Sequence, residues 1–173
     1  MRLFKTSLVI ALLYIPFLIN GERKIPKSDS ILIKGMVKKE AVITLGDLDT
    51  MPKVDLKDIE IFNHKGEPKG KHSGLKGVSL LHILKHVSYK YEKPNELNTF
   101  YFNCIATDGY KVVFSWNEIY NTTVGSQIFI LTEQDGKTLK DMDDRLILVS
   151  MADITIGRRY VKGLSGIEVN RLP

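Results

Sequence analysis

Apolar and polar positions alternate over Ile31 to Val37 and continue extended over Ala41 to Thr44, which predicts two strands at the start of the domain. Thr44 and Asp47 form a capping-box pattern that starts a short helix to Met51, and Pro52 stops it. Ile59 to Phe62 suits a strand, while His64 to Lys76 is basic, rich in glycine and carries Pro68, so it reads as a loop. Over Val78 to Val87 the apolar residues Leu80, Leu81, Ile83, Leu84 and Val87 fall on one face at helical spacing, with His82 and His86 opposite beside Lys85. Leu97 to Thr107 and Tyr110 to Phe114 flank Asp108-Gly109 and predict a tight β-hairpin. Ser115 to Glu118 is a second capping box, opening another short helix. Gln127 to Thr132, Arg145 to Met151 and Gly166 to Leu172 complete the predicted strands, with a turn at Gln134 to Lys137. Strands and short helices mix without a βαβ rhythm or a repeat, so the class is α+β.

At 173 residues, 43% of them apolar, the chain is long enough for one domain with its own core. Its single cysteine cannot form an internal disulfide. Arg2 and Lys5 precede the apolar run Ser7 to Asn20, too short for a membrane-spanning helix, and the pattern is that of a signal peptide over residues 1–21. A flexible lead over 22–30 then precedes a domain over 31–173. The expected product is exported, periplasmic or secreted, with no stable membrane insertion after cleavage; no cysteine near the end of the run offers a lipid attachment point. The formal charge of +5 falls to +3 once the leader is gone. With neither a basic helix nor an aromatic RNA-binding signature, nucleic acid is not expected, and an anionic small molecule is the favoured partner.

The order and spacing of four segments resemble the oxidoreductase molybdopterin-binding domain of the sulfite oxidase superfamily. They are Ile33 to Pro52, Leu75 to Leu84, Tyr101 to Glu118, and Ile130 to Val169, the last including the run RRYVKGLSGIEV. The resemblance implies that family's fold, a pterin whose dithiolene holds molybdenum, and redox catalysis. It also implies a cysteine thiolate on the metal, supplied here from Glu60 to Gly77, and this stretch contains no cysteine. Strand alternation instead places Cys104 on one face with Phe100, Phe102 and Ala106, as a small hydrophobe in the core.

The pocket implied by the resemblance is lined by the loop from Asn63 to Gly77, the turn at Asp108 to Tyr110, and the basic run from Arg158 to Lys162. Its candidate cofactor-binding residues are Asn63, His64, His72, Lys76, Asp108, Tyr110, Arg158, Arg159 and Lys162, with no metal ligand assigned. Lysine ammonium groups and glycine N–H groups in such a loop suit an anion, whereas the plain alternative is a solvated surface loop. Arg158 and Arg159, adjacent on an extended segment, point to opposite faces, so at most one serves a given pocket. His82 and His86 have ligand spacing but sit on a polar face without an intervening Glu pattern, and read as solvated. Asp141, Asp143 and Asp144 lack the glycine and terminal glutamate of a calcium loop. Two readings remain open at this stage: a molybdopterin oxidoreductase, or a non-catalytic binding or interaction module that keeps the fold without molybdenum.

Overall fold

The computed structural model describes residues 25–173, so the expected leader lies outside the described residues. Among the described residues no helix is long and apolar enough to cross a membrane. Among the described residues the architecture is α+β: one mixed sheet, one antiparallel sheet and a two-stranded ribbon, with three short α-helices.

The first sheet has the order β2-β1-β12-β7-β8. Its strands are β1 (Ser30–Gly35), β2 (Ala41–Thr44), β7 (Phe100–Ala106), β8 (Lys111–Ser115) and β12 (Leu164–Arg171). β12 lies at the centre, parallel to β1 and antiparallel to β7. Along β7 burial alternates without a break, so Phe100, Phe102, Cys104 and Ala106 all face the core, as the pattern predicts. That face packs against α2 (Leu80–Leu84) and α3 (Trp116–Tyr120), with Ile31, Ile33, Phe114, Ile167 and Val169 in the same cluster. Tyr89, Phe102, Trp116 and Tyr120 form an aromatic stack within it, and the Tyr89 and Tyr120 hydroxyls meet at 2.8 Å over the Leu84 carbonyl.

The second sheet runs β10-β9-β6-β3, with β11 also on β9. These are β3 (Val54–Leu56), β6 (Leu75–Ser79), β9 (Ile128–Gln134), β10 (Lys137–Thr138) and β11 (Ile147–Ser150). A separate ribbon pairs β4 (Ile59–Phe62) with β5 (Pro68–His72). Leu75, Phe129, Leu131, Ile147, Val149 and Tyr160 form a second, smaller core.

Both capping boxes form: Thr44 starts α1 (Leu45–Thr50) and Ser115 starts α3, each with the reciprocal carboxylate bond from position N3. Three other expectations are corrected. His64 to Lys76 is not a loop, since β5 and the start of β6 lie in it. Its Lys and Gly residues have low strand propensity, but β4 and β9 supply the pairing, and tertiary context overrides composition. The predicted helix over Val78 to Val87 shrinks to α2, because Val78 and Ser79 pair with Ile130 and Phe129 of β9. The Asp108-Gly109 connection is also longer than a tight turn. Only Gly109 has positive φ, and the chain closes through Gly109 N–H to Ala106 and Ala106 N–H to Tyr110. The two-residue hairpin turn is Asp135-Gly136 instead, where both residues have positive φ (53° and 75°) between paired Gln134 and Lys137.

Residues 25–29 have no regular structure, yet Ser28 is buried, the Pro26 carbonyl accepts from Thr107, and Asp29 pairs with Arg145.

Candidate functional site

The Asp135-Gly136 turn throws the Asp135 carboxylate against the end of β5. Its Oδ2 lies 2.7 Å from His72 Nδ1, and its Oδ1 accepts the Ser73 N–H at 2.9 Å. The His72 ring stacks nearly parallel on Tyr160, whose hydroxyl donates to Gln134 Oε1 at 2.8 Å, and the Gln134 amide nitrogen lies 3.0 Å from His72 Nδ1, which either donates to Asp135 or accepts from Gln134 according to its tautomer. Burial pushes the Asp135 carboxyl up, but the Ser73 N–H and then His72 outweigh it and hold the group below the ordinary carboxylate range. His72 and Lys162 line one depression of about 240 Å³, together with Asp135, Met142 and Asp144. Lys162 is bound to Asp144 at 2.8 Å there, so the depression presents carboxylates and cations already joined.

Arg159 anchors a second charged cluster on the other side of the same segment. Residues 152–159 run through turns and bends, so Arg158 and Arg159 do not lie on the extended segment expected, and Arg158 is exposed while Arg159 turns inward. The guanidinium grips Asp153 with Nε at 3.0 Å and Nη2 at 2.5 Å, gives Nη1 to Glu118 at 3.0 Å, and lies 4.4 Å above the Phe114 ring. Asp153 also accepts from Ser150, and Glu118 caps α3 through its other oxygen. The Asp153 bonds foremost raise the Arg159 pKa against the effect of burial. Burial would raise Glu118, yet the Ser115 N–H and Arg159 together bring it below its ordinary value.

The other nominated residues hold the fold together. Asn63 Oδ1 accepts from Lys65 and Glu67 N–H, closing the β4–β5 ribbon. His64 is exposed in that turn. Lys76 pairs with Glu133 across β6 and β9 at 3.0 Å. Asp108 accepts the Tyr110 N–H, and the Tyr110 hydroxyl donates to the Arg158 carbonyl, strapping the hairpin onto the 152–159 turns. His82 and His86 sit edge to face at 5.4 Å, the first half-buried and the second exposed.

Of the predicted set, the structure therefore brings His72 and Lys162 into one depression. It directs Arg159 to a different cluster and makes Asn63, Lys76, Asp108 and Tyr110 local ties. Sequence reading missed the partners Asp135, Gln134, Tyr160, Glu118 and Asp153. Glu118 and Asp135 were visible only as cap and turn residues, and nothing in the sequence singled out Asp153.

A molybdenum pterin does not fit this donor set. Cys104 is fully buried in the middle of β7, and burial pushes its thiol up to about 12 against the opposing pull of the Arg159 charge. Metal ligation requires the thiolate. Among the described residues no three His, Cys, Asp or Glu side chains are grouped to hold a metal ion. Three of the candidate cations, Arg159, Lys162 and Lys76, each already hold carboxylates.

Two measurements check this account. The Cys104 thiol is expected to stay unmodified by an aromatic disulfide reagent in the native protein and to react in full once denaturant is added; rapid native labelling would contradict its burial. For Glu118 and Asp135, the folded-state pKa lies below the unfolded one, so their stabilisation is complete above the unfolded values of 4.5 and 3.8 and is lost as pH falls through the folded ones. The urea midpoint is therefore expected to drop below about pH 4.5, with a shallower drop in Asp135→Asn.

The fold has a counterpart among solved structures. The chain is similar to the crystal structure of the sulfane dehydrogenase SoxCD from Paracoccus pantotrophus, with a TM-score of 0.58 and 15% identity. The match covers 84% of this chain and 40% of the other, so the chain spans less than half the length of that protein's chain. This establishes a distant relationship of fold. Neither a protein-family model nor a curated protein matches the chain.

Proposed function

We propose that this chain is an exported small-molecule binding module that keeps the sulfite-oxidase-type α+β scaffold without a molybdenum centre. The observation that carries the reading is the position of Cys104. The one thiol of the chain is fully buried among apolar neighbours, and β8 and β12 are hydrogen-bonded to its strand on either side. A soft metal is gripped by an ionised, reachable sulfur, and this one is neither. The internal pairing of Arg159, Lys162 and Lys76 supports the same reading, because an anionic cofactor would have to displace a carboxylate at each of them.

The scaffold half rests on the ordered motifs and on the likeness in fold to a sulfane dehydrogenase. The export half rests on the apolar run Ser7 to Asn20 behind two basic residues.

The test is elemental analysis of the full chain produced in a host that makes the pterin cofactor. The expected result is no stoichiometric molybdenum and no pterin fluorescence released on denaturation. One molybdenum per chain would overturn the proposal and restore the oxidoreductase reading.

A further inference from the structure

The connection between β1 and β2 lies against the chain that follows α2. Val37 bridges Tyr89, the Lys38 N–H donates to the Ser88 carbonyl at 2.7 Å, and the Lys90 N–H donates to Met36 at 2.9 Å. This strap is rigidly tied, and two depressions open beside it that share Val87 and Ser88 as a common wall. One, of about 250 Å³, is lined by Tyr89, Tyr91, Leu97 and Trp116, with Lys38 at its rim and no carboxylate. The other, of about 480 Å³, is lined by Lys39, His86 and Glu40.

The cations here differ from those of the site described above. Lys38 and Lys39, and the neighbouring Lys85 and Lys90, form no ion pair among the described residues, whereas Lys76, Lys162 and Arg159 are all paired. Lysines left without a carboxylate beside an aromatic wall form a bipartite surface. A flat ring gains contact area on Tyr91 and the Trp116 edge, and an anionic group gains charge-assisted bonds from lysine. In the second depression Glu40 offsets the charge of Lys39, so the uncompensated positive charge beside the aromatic wall is that of Lys38 in the first depression.

We propose that the first depression binds a planar heteroaromatic ring carrying a phosphate, with the ring against Tyr91 and Trp116 and the phosphate held by Lys38. The proposal rests on the binding-module reading and gives it a ligand class and a place. The two fail separately: bound molybdenum overturns the first, and an empty groove overturns only the second.

The groove contains its own reporter, because Trp116 is the only tryptophan in the chain. The experiment titrates the full chain with each of the four common nucleoside 5′-monophosphates and follows Trp116 emission, using inorganic phosphate and the free nucleosides as separate titrants. Saturable quenching by at least one nucleotide is expected, with phosphate and nucleoside each binding more weakly. Lys38→Glu and Tyr91→Ala are each expected to weaken binding about tenfold, the loss of one charge-assisted or stacking contact. Arg158→Glu, at an exposed arginine outside the groove, is expected to bind as the parent does. No saturable change with any nucleotide overturns the proposal. So does phosphate binding as tightly as the nucleotide.

Discussion

Replacing Arg159 by alanine is expected to lower the free energy of unfolding by about 3 kcal/mol, read from urea unfolding at neutral pH. The size follows from what is left behind. The Asp153 side chain is only 12% exposed and would lose its cation, leaving the Ser150 hydroxyl as its one remaining side-chain donor. Glu118 contributes less, since its side chain is 37% exposed and water replaces part of what Arg159 supplies. The Phe114 ring also loses the guanidinium lying over it. Arg159→Lys keeps the charge but not the planar fork that meets both Asp153 oxygens, so an intermediate loss is expected. A loss below about 1 kcal/mol for the alanine variant would put this cluster among ordinary exposed ion pairs.

Gly157→Ala is expected to cost about 2–3 kcal/mol by crowding alone. A methyl group there would sit 2.0 Å from the Phe62 carbonyl oxygen, a distance that backbone atoms on both sides must move to relieve. The same contact region holds the Phe62 N–H to Ile156 O bond at 2.8 Å, which ties the β4–β5 ribbon to the 152–159 turns. Parting them also loosens His72 from Tyr160, because His72 ends β5. The measurement is amide hydrogen exchange at Phe62 together with the unfolding midpoint. Unchanged Phe62 protection in a folded variant would show that the glycine is not what allows this approach.

What the sequence made legible was local. Both capping boxes lie within four residues, and the β7 alternation that buries Cys104 repeats every second residue, so each declares itself without knowledge of a partner. β5 was hidden for the opposite reason. A Pro-Lys-Gly-Lys-His strand has no apolar face of its own and exists because β4 pairs with it. α2 was overextended because Val78 has helical spacing with Leu81 and yet pairs with Ile130 in a distant strand. The charged clusters were hidden in the same way: Arg159 finds Glu118 41 positions earlier, and His72 finds Asp135 63 positions later. A basic residue read alone looks available to an anion, and only the fold reveals that its charge is already matched.

The placing of β12 governs how the chain reaches this state. The middle strand of the first sheet comes last in chain order among the described elements, and it alone joins the β2–β1 pair to the β7–β8 pair. Until residues 164–171 arrive, those pairs are two separate hairpins with open inner edges, and the largest apolar cluster has no floor. A nascent chain stopped before Leu164 therefore stays sticky and protease-sensitive, and removal of residues 164–171 does more harm than their number suggests.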